Sequence, residues 1–198
     1  MAKKRITKPV EERRQEIIDT SRVMFMEYGF GRTQMADISK KMNVAAGTIY
    51  HYFKSKTELL YAVIDEIVSD TIQQKRQFLN NAQGSSFDRL KSFVTSFENE
   101  EHWKLSHSFS DDPTIIQYYL TKISNSFLPI LESLIEQGNA DDSWYCEYPA
   151  EIAVFILQGM TGVMSKEHER KDSLQEKSKR FKAYANFAFR MLDVEKQL

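Results

Sequence analysis

Apolar residues recur every three to four positions along most of this 198-residue chain, and no segment shows the strict alternation of a half-buried strand. Helix-breaking residues are scarce, because the chain holds only 7 Gly and 4 Pro. With 41% hydrophobic and 28% charged residues, the composition is that of a packed globular protein, and it excludes collagen-like, disordered and disulfide-scaffold classes. The sequence therefore predicts an all-α fold.

Three short helices are predicted near the N-terminus. The first ends at Gly29, where a C-terminal cap belongs. Thr33 is expected to cap the second helix, and Asn43 can take the left-handed conformation that ends it. Residues 45–52 form the third helix, whose Ile49 faces the common core. The buried stripe of the first helix is predicted to contain Ile17, Ser21, Met24, Phe25 and Tyr28.

Longer helices are predicted after residue 54. Ser55 and Glu58 resemble a capping box and predict a fourth helix that reaches the late seventies and belongs to both halves of the chain. Ser85 with Asp88 signals a fifth helix. A short sixth helix is expected over residues 103–108.

The C-terminal part continues the same pattern. Asp112 and Pro113 form a cap and first-turn pair for a long seventh helix, which is expected to end near Gly138 and to bend at Pro129. The last two helices are expected over about residues 148–165 and 172–193. Nine helices in all are therefore predicted.

Charge is distributed unevenly along the chain. Residues 1–56 carry 12 Lys and Arg against 6 Asp and Glu, which leaves 15 against 22 in residues 57–198. A basic N-terminal third on an acidic remainder is typical of a head that binds a polyanion. The charge split alone is weak evidence for such a head.

The second and third helices, with the tight turn between them, follow the helix-turn-helix plan. A helix enters the major groove of DNA when its outer face carries slim and hydrogen-bonding side chains near the base edges. Residues 45–52 offer such a face, and Gly47 allows a close approach of the backbone. Tyr50 has an alternative interpretation as a core aromatic beside Ile49 and Phe53. The outer face is predicted to contain Ala45, Ala46, Thr48, Tyr50 and His51.

These residues resemble the DNA-binding domain of TetR-family transcriptional regulators over about residues 10–68. The resemblance implies a homodimeric regulator, usually a repressor, whose second domain binds a small molecule and releases a palindromic operator in double-stranded DNA. It also implies a basic arm at residues 1–9, a DNA-binding domain at 10–68 with its helix-turn-helix at about 33–52, and an effector-binding and dimerisation domain at 69–198. The motif residues include Tyr28-Gly29-Phe30, Thr33, Ile38, Val44, the run from Gly47 to Lys56, and Glu58-Leu59-Leu60.

Four DNA contacts implied by the resemblance concern the sugar-phosphate backbone. Thr33 would cap the second helix and touch a phosphate, and Gln34 would lie beside it at the groove edge. Tyr50 and Lys56 would contact the sugar-phosphate backbone of the DNA.

Four further residues would lie nearer the base edges. The resemblance implies that Ala45 and Ala46 face the bases, and that Thr48 and His51 contact bases or phosphate. The chain departs from the family pattern at Asn43, where the family usually has Gly, and at Ala45, where it often has Ser or Thr. Because alanine has no side-chain oxygen, it can neither accept a cap hydrogen bond nor make the usual hydroxyl contact at position 45.

Aromatic residues are abundant in the second half and allow two interpretations. They can form an ordinary core, or they can wall a pocket for a hydrophobic or aromatic effector. The residues predicted to bind the ligand are Phe93, Phe97, Trp103, Tyr119 and Phe127.

The last two helices are each apolar on two faces, so each must be covered twice. We expect their surplus faces to pair about a two-fold axis as a four-helix bundle in a homodimer. The residues predicted for this interface are Ala153, Leu157, Met160, Met164, Tyr184, Phe187 and Met191.

Other kinds of site lack candidate residues in the sequence. His102 and His107 do not have metal-ligand spacing on one helical face, and no phosphate-binding glycine loop or nucleophile motif is found. We therefore expect no metal, no cofactor and no enzymatic activity. With one cysteine, Cys146, and no long apolar run, the sequence favours a cytoplasmic protein without a membrane segment. The alternative function is an architectural or protein-interaction module that uses a helix-turn-helix scaffold without an effector.

Overall fold

The computed structural model describes residues 9–95, 112–169 and 173–194, and throughout these ranges the secondary structure is helical without a strand. The predicted all-α class is therefore confirmed. The expected short helix at 103–108 lies outside the described residues. The helices are α1 (Val10–Tyr28), α2 (Met35–Lys41), α3 (Ala46–Tyr52), α4 (Lys56–Asn81), α5 (Ser86–Thr95), α6 (Pro113–Ala140), α7 (Pro149–Glu169) and α8 (Leu174–Val194).

The chain divides into two compact units between Glu66 and Ile67. Within the described residues, the first unit contains α1 to α3 and the first part of α4. Tyr28, expected in the stripe of α1, is exposed, since it lies in the last turn of the helix beyond the core. The core of this unit includes Ile17, Phe25, Ile38, Ile49, Phe53, Leu59, Leu60 and Val63, all fully or almost fully buried.

The turns of the first unit follow the sequence at two predicted positions. Gly29 ends α1 with a positive φ of 84°, which favours glycine, and Asn43 has φ 55°, as the left-handed conformation requires. The predicted cap at Thr33 is wrong: Gln34 is the N-cap of α2 and forms a reciprocal capping box with Asp37. The buried Thr33 hydroxyl donates instead to the carbonyl oxygen of Gly29, at 3.0 Å.

Helix α4 begins as the sequence predicts and crosses from the first unit into the second. The Ser55 hydroxyl accepts from the Glu58 backbone N–H at 3.0 Å. The Glu58 carboxylate accepts from the Lys54 backbone N–H at 2.7 Å, one residue before the reciprocal partner of an ordinary capping box. The helix continues without a break to Asn81.

In the second unit, the start of α5 is attached to the end of α6. Ser85 and Asp88 cap α5 as predicted, through bonds between each side chain and the other residue's backbone N–H. The Asp141 carboxylate accepts from the Ser86 backbone N–H at 2.7 Å. Hydrogen bonds from the Ser143 side chain and the Ser86 backbone lower the pKa of Asp141 to about 2. This carboxylate therefore connects the two helices in its ionised form at neutral pH.

Helix α6 starts at the predicted Asp112–Pro113 pair and continues past Pro129 to Ala140, two residues beyond the expected end. The kink at Pro129 stays a prediction. Glycine at position 138 is required by a tertiary contact, because a Cβ there would lie 2.0 Å from the ring of Trp144. Trp144 is buried and donates from Nε1 to the Ile135 carbonyl oxygen at 2.9 Å. The loop after α6 therefore folds back onto the helix.

Candidate DNA-binding site and ligand cavity

A short turn joins α2 to α3 and is fixed by backbone hydrogen bonds. The N–H of Asn43 donates to the Lys40 carbonyl at 3.1 Å, and the N–H of Val44 donates to the Ser39 carbonyl at 3.0 Å. The positive φ of Asn43 turns the chain so that α3 can start at Ala46. Ala45 is the N-cap and makes no side-chain cap bond, as predicted from its lack of a hydroxyl.

Helix α3 is held by its inner face and presents its outer face to solvent. Ile49 is completely buried, and Phe53 follows it into the core. Tyr50 is 54% exposed, so its alternative interpretation as a core aromatic is wrong. Thr48 is half-buried. The predicted base-facing residues Ala45, Ala46 and His51 are exposed.

The two residues expected at the groove edge have different environments. Gln34 is exposed, but its side chain accepts from the Asp37 backbone N–H within the capping box. Thr33 is buried, and its hydroxyl proton is directed to a backbone carbonyl of the α1–α2 connection. Its contact with a phosphate stays a prediction. In the structure the hydroxyl stabilises the α1–α2 connection through its bond to the Gly29 carbonyl.

Lys56 has a contact that sequence reasoning missed. Its Nζ donates to the carbonyl oxygens of Phe30 and Thr33, each at 2.9 Å, and lies 4.3 Å from the centre of the Phe30 ring. The ammonium therefore fastens the first turn of α4 to the α1–α2 connection. The only sequence signal for this contact is the coexistence of an aromatic after Gly29 with a lysine at the start of α4.

Exposed cations lie on the segments that flank α3. Lys40 and Lys41 precede the turn, Lys54 follows the helix, and all three are exposed. Arg32 is also exposed and donates from Nε to the Tyr28 carbonyl at 2.8 Å. Phosphates bind to such peripheral cations, while slim side chains read base edges. The basic residues of the arm at 1–9 that precede Pro9 lie outside the described part of the chain.

The second unit contains an apolar cavity of about 50 Å³ between α5, α6, α7 and α8. The rings of Phe93 and Phe127 meet edge to face beside it, with centroids 5.5 Å apart. Of the other predicted ligand residues, Tyr119 is buried but does not line the cavity, and Phe97 and Trp103 lie outside the described residues. Burial raises the pKa of Tyr119 above its usual value. The cavity is lined by residues that include Leu90, Phe93, Val94, Phe127, Leu131, Leu157, Met160, Met164, Phe181 and Phe189.

The structure corrects the predicted dimer face of α7. Ala153 is 0% exposed in the single protomer, so its side chain cannot contact a partner, and Leu157 is also buried. Leu157, Met160 and Met164 line the apolar cavity. The outward side of α7 carries Phe155, which is 60% exposed, while the neighbouring Ile156 is buried and lines the cavity.

On α8 the predicted division of faces agrees with the burial. Phe181, Ala185 and Leu192 are buried, while Phe187 is 62% exposed. Tyr184 and Met191 are half-buried. The contribution of these residues to a dimer interface stays a prediction.

Among the parts of the chain that the structure covers, no group of three His, Cys, Asp or Glu side chains is placed to hold a metal ion. In those same parts, no helix combines the length and the apolar character needed to cross a bilayer.

The fold and the exposed face of α3 define a helix-turn-helix DNA-binding protein. Residues 17–63 match the family described as bacterial regulatory proteins, tetR family. The HTH-type transcriptional repressor KstR2 of Rhodococcus jostii (strain RHA1) is 22% identical over 160 residues, or 74% of each protein. KstR2 of Mycolicibacterium smegmatis is 31% identical over 91 residues, which are 46% of this chain and 44% of that protein.

A solved structure shares the fold along most of the chain. A transcriptional regulator from Cytophaga hutchinsonii ATCC 33406 superposes with a TM-score of 0.73 at 17% identity, covering 90% of this chain and 97% of that one. Residues 17–63 therefore carry a helix-turn-helix domain of the TetR type, and the chain is a DNA-binding transcriptional regulator.

The contacts of Lys56 lead to a prediction with two separable parts. Lys56→Ala is expected to lower the free energy of unfolding of the first unit by about 1–3 kcal/mol, because two carbonyls lose a charged donor. If Lys56 also contacts a phosphate, the substitution weakens binding to all DNA sequences and lowers the salt slope by about one. Thermal unfolding and DNA titrations at several salt concentrations measure the two parts.

Lys54→Ala is the matched control, because Lys54 is exposed and its recorded bond is made by the backbone. We expect this control to leave the unfolding midpoint unchanged. If Lys56→Ala kept both the affinity and the salt slope of the parent protein, the phosphate contact of Lys56 would be excluded.

Proposed function

We propose that this protein is a homodimeric repressor that binds a two-fold symmetric operator through α3 of each protomer and leaves it when an apolar or aromatic small molecule binds. The observation that carries the DNA-binding part is the fixed turn followed by a short helix with a small, exposed outer face. Two similar proteins are described as repressors, which supports the direction of regulation. In this proposal residues 10–68 bind DNA, 69–198 bind the effector and the second copy, and the protein acts in the cytoplasm.

A second copy of the chain is the proposed partner for the outer faces of α7 and α8. Phe155 and Phe187 project large apolar side chains into solvent in the single protomer. Gly159 and Gly162 are exposed on α7, and nothing lies within 4 Å of where their Cβ atoms would be. Small residues beside exposed aromatics allow two helices to approach closely and bury both rings. A symmetric dimer also doubles the number of groove contacts.

The operator contact can be tested by binding-site selection from random DNA. We expect the protein to select a two-fold symmetric sequence, and His51→Ala to change the preferred base at one position in each half-site, because His51 is exposed on α3. Each wrong base pair is expected to cost about 1–3 kcal/mol of binding free energy. Lys41→Ala is the control and should weaken binding to all DNA sequences equally. Selection of no common sequence would favour the architectural alternative.

The effector proposal rests on the apolar cavity and on its present size. A volume of about 50 Å³ is far below the roughly 300–1,000 Å³ of pockets that hold small-molecule ligands. A ligand must therefore widen the space, and Met160 and Met164 in the lining have flexible side chains that can move. Widening the cavity separates α5 and α6 from α7 and α8. Ligand binding can therefore change the packing of the helices in the second unit.

A series of n-alkanols and naphthalene-type aromatics tests the coupling between ligand and operator. We expect the effective compounds to weaken operator binding by about 1–3 kcal/mol, and the operator to weaken their binding by the same amount. Ala188→Leu should block the effect, because Ala188 lines the cavity and leucine fills the remaining space. Ala183→Leu, at an exposed position of α8, is the matched control. A compound that binds free and DNA-bound protein equally well would disprove the coupling.

A further inference from the structure

A second, polar cleft of about 330 Å³ lies between the end of α4, the start of α5 and the second half of α6. None of the described residues that line it is acidic, so its two arginines give it a formal charge of two positive units. Its floor is apolar. The lining residues are Arg76, Leu79, Asn80, Arg89, Pro129, Ile130, Ser133, Leu134 and Gln137.

Arg89 is held in place by a chain of polar groups. Its Nη1 donates to the Gln137 Oε1 at 2.5 Å, and its Nη2 is 3.5 Å from the Leu79 carbonyl oxygen. Gln137 in turn donates from Nε2 to the Ser133 hydroxyl at 3.0 Å. The Ser133 oxygen acts as acceptor in this bond, so its own proton can be donated to a ligand. The Arg89 guanidinium and the Ser133 hydroxyl are therefore preorganised for ligand binding.

The charge of Arg89 is not balanced by a carboxylate among the described residues that line the cleft. Its recorded partners are an amide oxygen and a backbone carbonyl, and its buried Nε has no hydrogen-bond partner. Arg76 is exposed on α4 and lines the same cleft. Two guanidinium groups with an amide and a hydroxyl beside them match the several acceptor oxygens of an oxyanion.

We propose that this cleft binds the phosphate group of a small phosphorylated molecule. A phosphate monoester carries about 1.5 to 2 negative charges at neutral pH, which balances the two arginines better than a single carboxylate does. The cleft is larger than a phosphate alone, and its apolar floor of Leu79, Ile130 and Leu134 suits the organic part of the molecule.

This cleft is separate from the apolar cavity of the proposed effector. Arg89 and Ile130 line the cleft, whereas their neighbours Leu90 and Leu131 line the apolar cavity. The pair α5–α6 is therefore the wall between the two spaces. A phosphate bound to Arg76 and Arg89 would join the end of α4 to this wall, so the cleft is a candidate second regulatory site.

Calorimetric titration of the full-length protein with phenyl phosphate, and with phenol as the uncharged comparison, tests the proposal. We expect one saturable site per chain for phenyl phosphate and none for phenol. Arg76→Gln and Arg89→Gln should each weaken binding at least about tenfold, since each removes a charged donor. Arg190→Gln removes the same charge from an exposed position of α8 and should have no effect.

Two comparisons separate a loss of phosphate binding from a loss of folding and from an effect on the proposed effector site. Arg89→Gln also breaks the bond to Gln137, so Arg76→Gln, at an exposed side chain, provides the decisive comparison. Ala188→Leu should leave phenyl phosphate binding unchanged. The proposal is overturned if no saturable binding occurs, if Arg190→Gln weakens it as much as Arg76→Gln, or if Ala188→Leu abolishes it. Competition by an operator duplex that is lost in Arg76→Gln would instead show that the cleft binds the DNA backbone.

Discussion

Gly138→Ala is expected to lower the free energy of unfolding of the second unit by about 1–3 kcal/mol or more, as overpacking of a tight core does. The new Cβ would lie 2.0 Å from Cε2 and 2.1 Å from Cζ2 of Trp144, so the indole must move. Any movement lengthens the 2.9 Å bond from Trp144 Nε1 to the Ile135 carbonyl. Urea unfolding followed by circular dichroism measures the loss.

A double-mutant cycle with Trp144→Ala supplies the control. Trp144→Ala alone leaves a cavity and destabilises the protein, but it also removes the atoms that Cβ would strike. We expect Gly138→Ala to be neutral or slightly stabilising in that background, because alanine favours the helix by about 0.5–1 kcal/mol over glycine. Equal costs in both backgrounds would contradict the contact as the cause.

Phe187→Glu, alone or with Phe155→Glu, is expected to convert the protein into a monomer and to weaken operator binding by at least about thirtyfold, the effect of losing a hot-spot residue worth about 2 kcal/mol. Both aromatics are more than half exposed in the single protomer, so a charge there does not disturb the core. It would, however, place two like charges near the two-fold axis of the proposed dimer. Sedimentation at micromolar concentration and operator titration measure the two effects.

Tyr145→Glu is the matched control, because Tyr145 is 59% exposed in the same unit but lies in the loop before α7. We expect it to remain dimeric and to bind the operator normally. A Phe187→Glu protein that sediments as a dimer would disprove the proposed interface. Met160, also predicted for the interface, is unsuitable for such a substitution because its side chain lines the apolar cavity.

Local signals in the sequence determined much of the first unit. Gly29 and Asn43 have the positive φ values expected of them, and α4 starts where Ser55 and Glu58 indicate. These features depend on residues that are close together in the chain, so a short window contains their physics. The same holds for the Asp112–Pro113 start of α6. The outer face of α3 follows for the same reason, because helical periodicity and the position of Ile49 fix which side is buried.

The partner that each polar side chain takes was decided by the tertiary structure. Thr33 looks like a helix cap in sequence, but its hydroxyl turns to the Gly29 carbonyl and leaves Gln34 as the cap. Lys56 is predicted from the resemblance to contact the DNA backbone, but no local pattern shows that its ammonium also reaches two carbonyls more than twenty residues earlier in the chain. A polar side chain chooses among several local and distant partners, and only the packed chain shows which partner is near.

The two faces of α7 show this division between sequence and structure most directly. Periodicity alone established that the helix carries two apolar stripes, because each stripe repeats at the spacing of a helical turn. It gave no sign of which of these apolar residues face inward, since the exposed Phe155 is as apolar as the buried Ala153, Ile156 and Leu157. Packing against α6 and α8 decided that Ala153 is buried and Phe155 is exposed. The hydrophobic effect is not directional, so the shapes of the neighbouring helices determine which apolar side chains are buried.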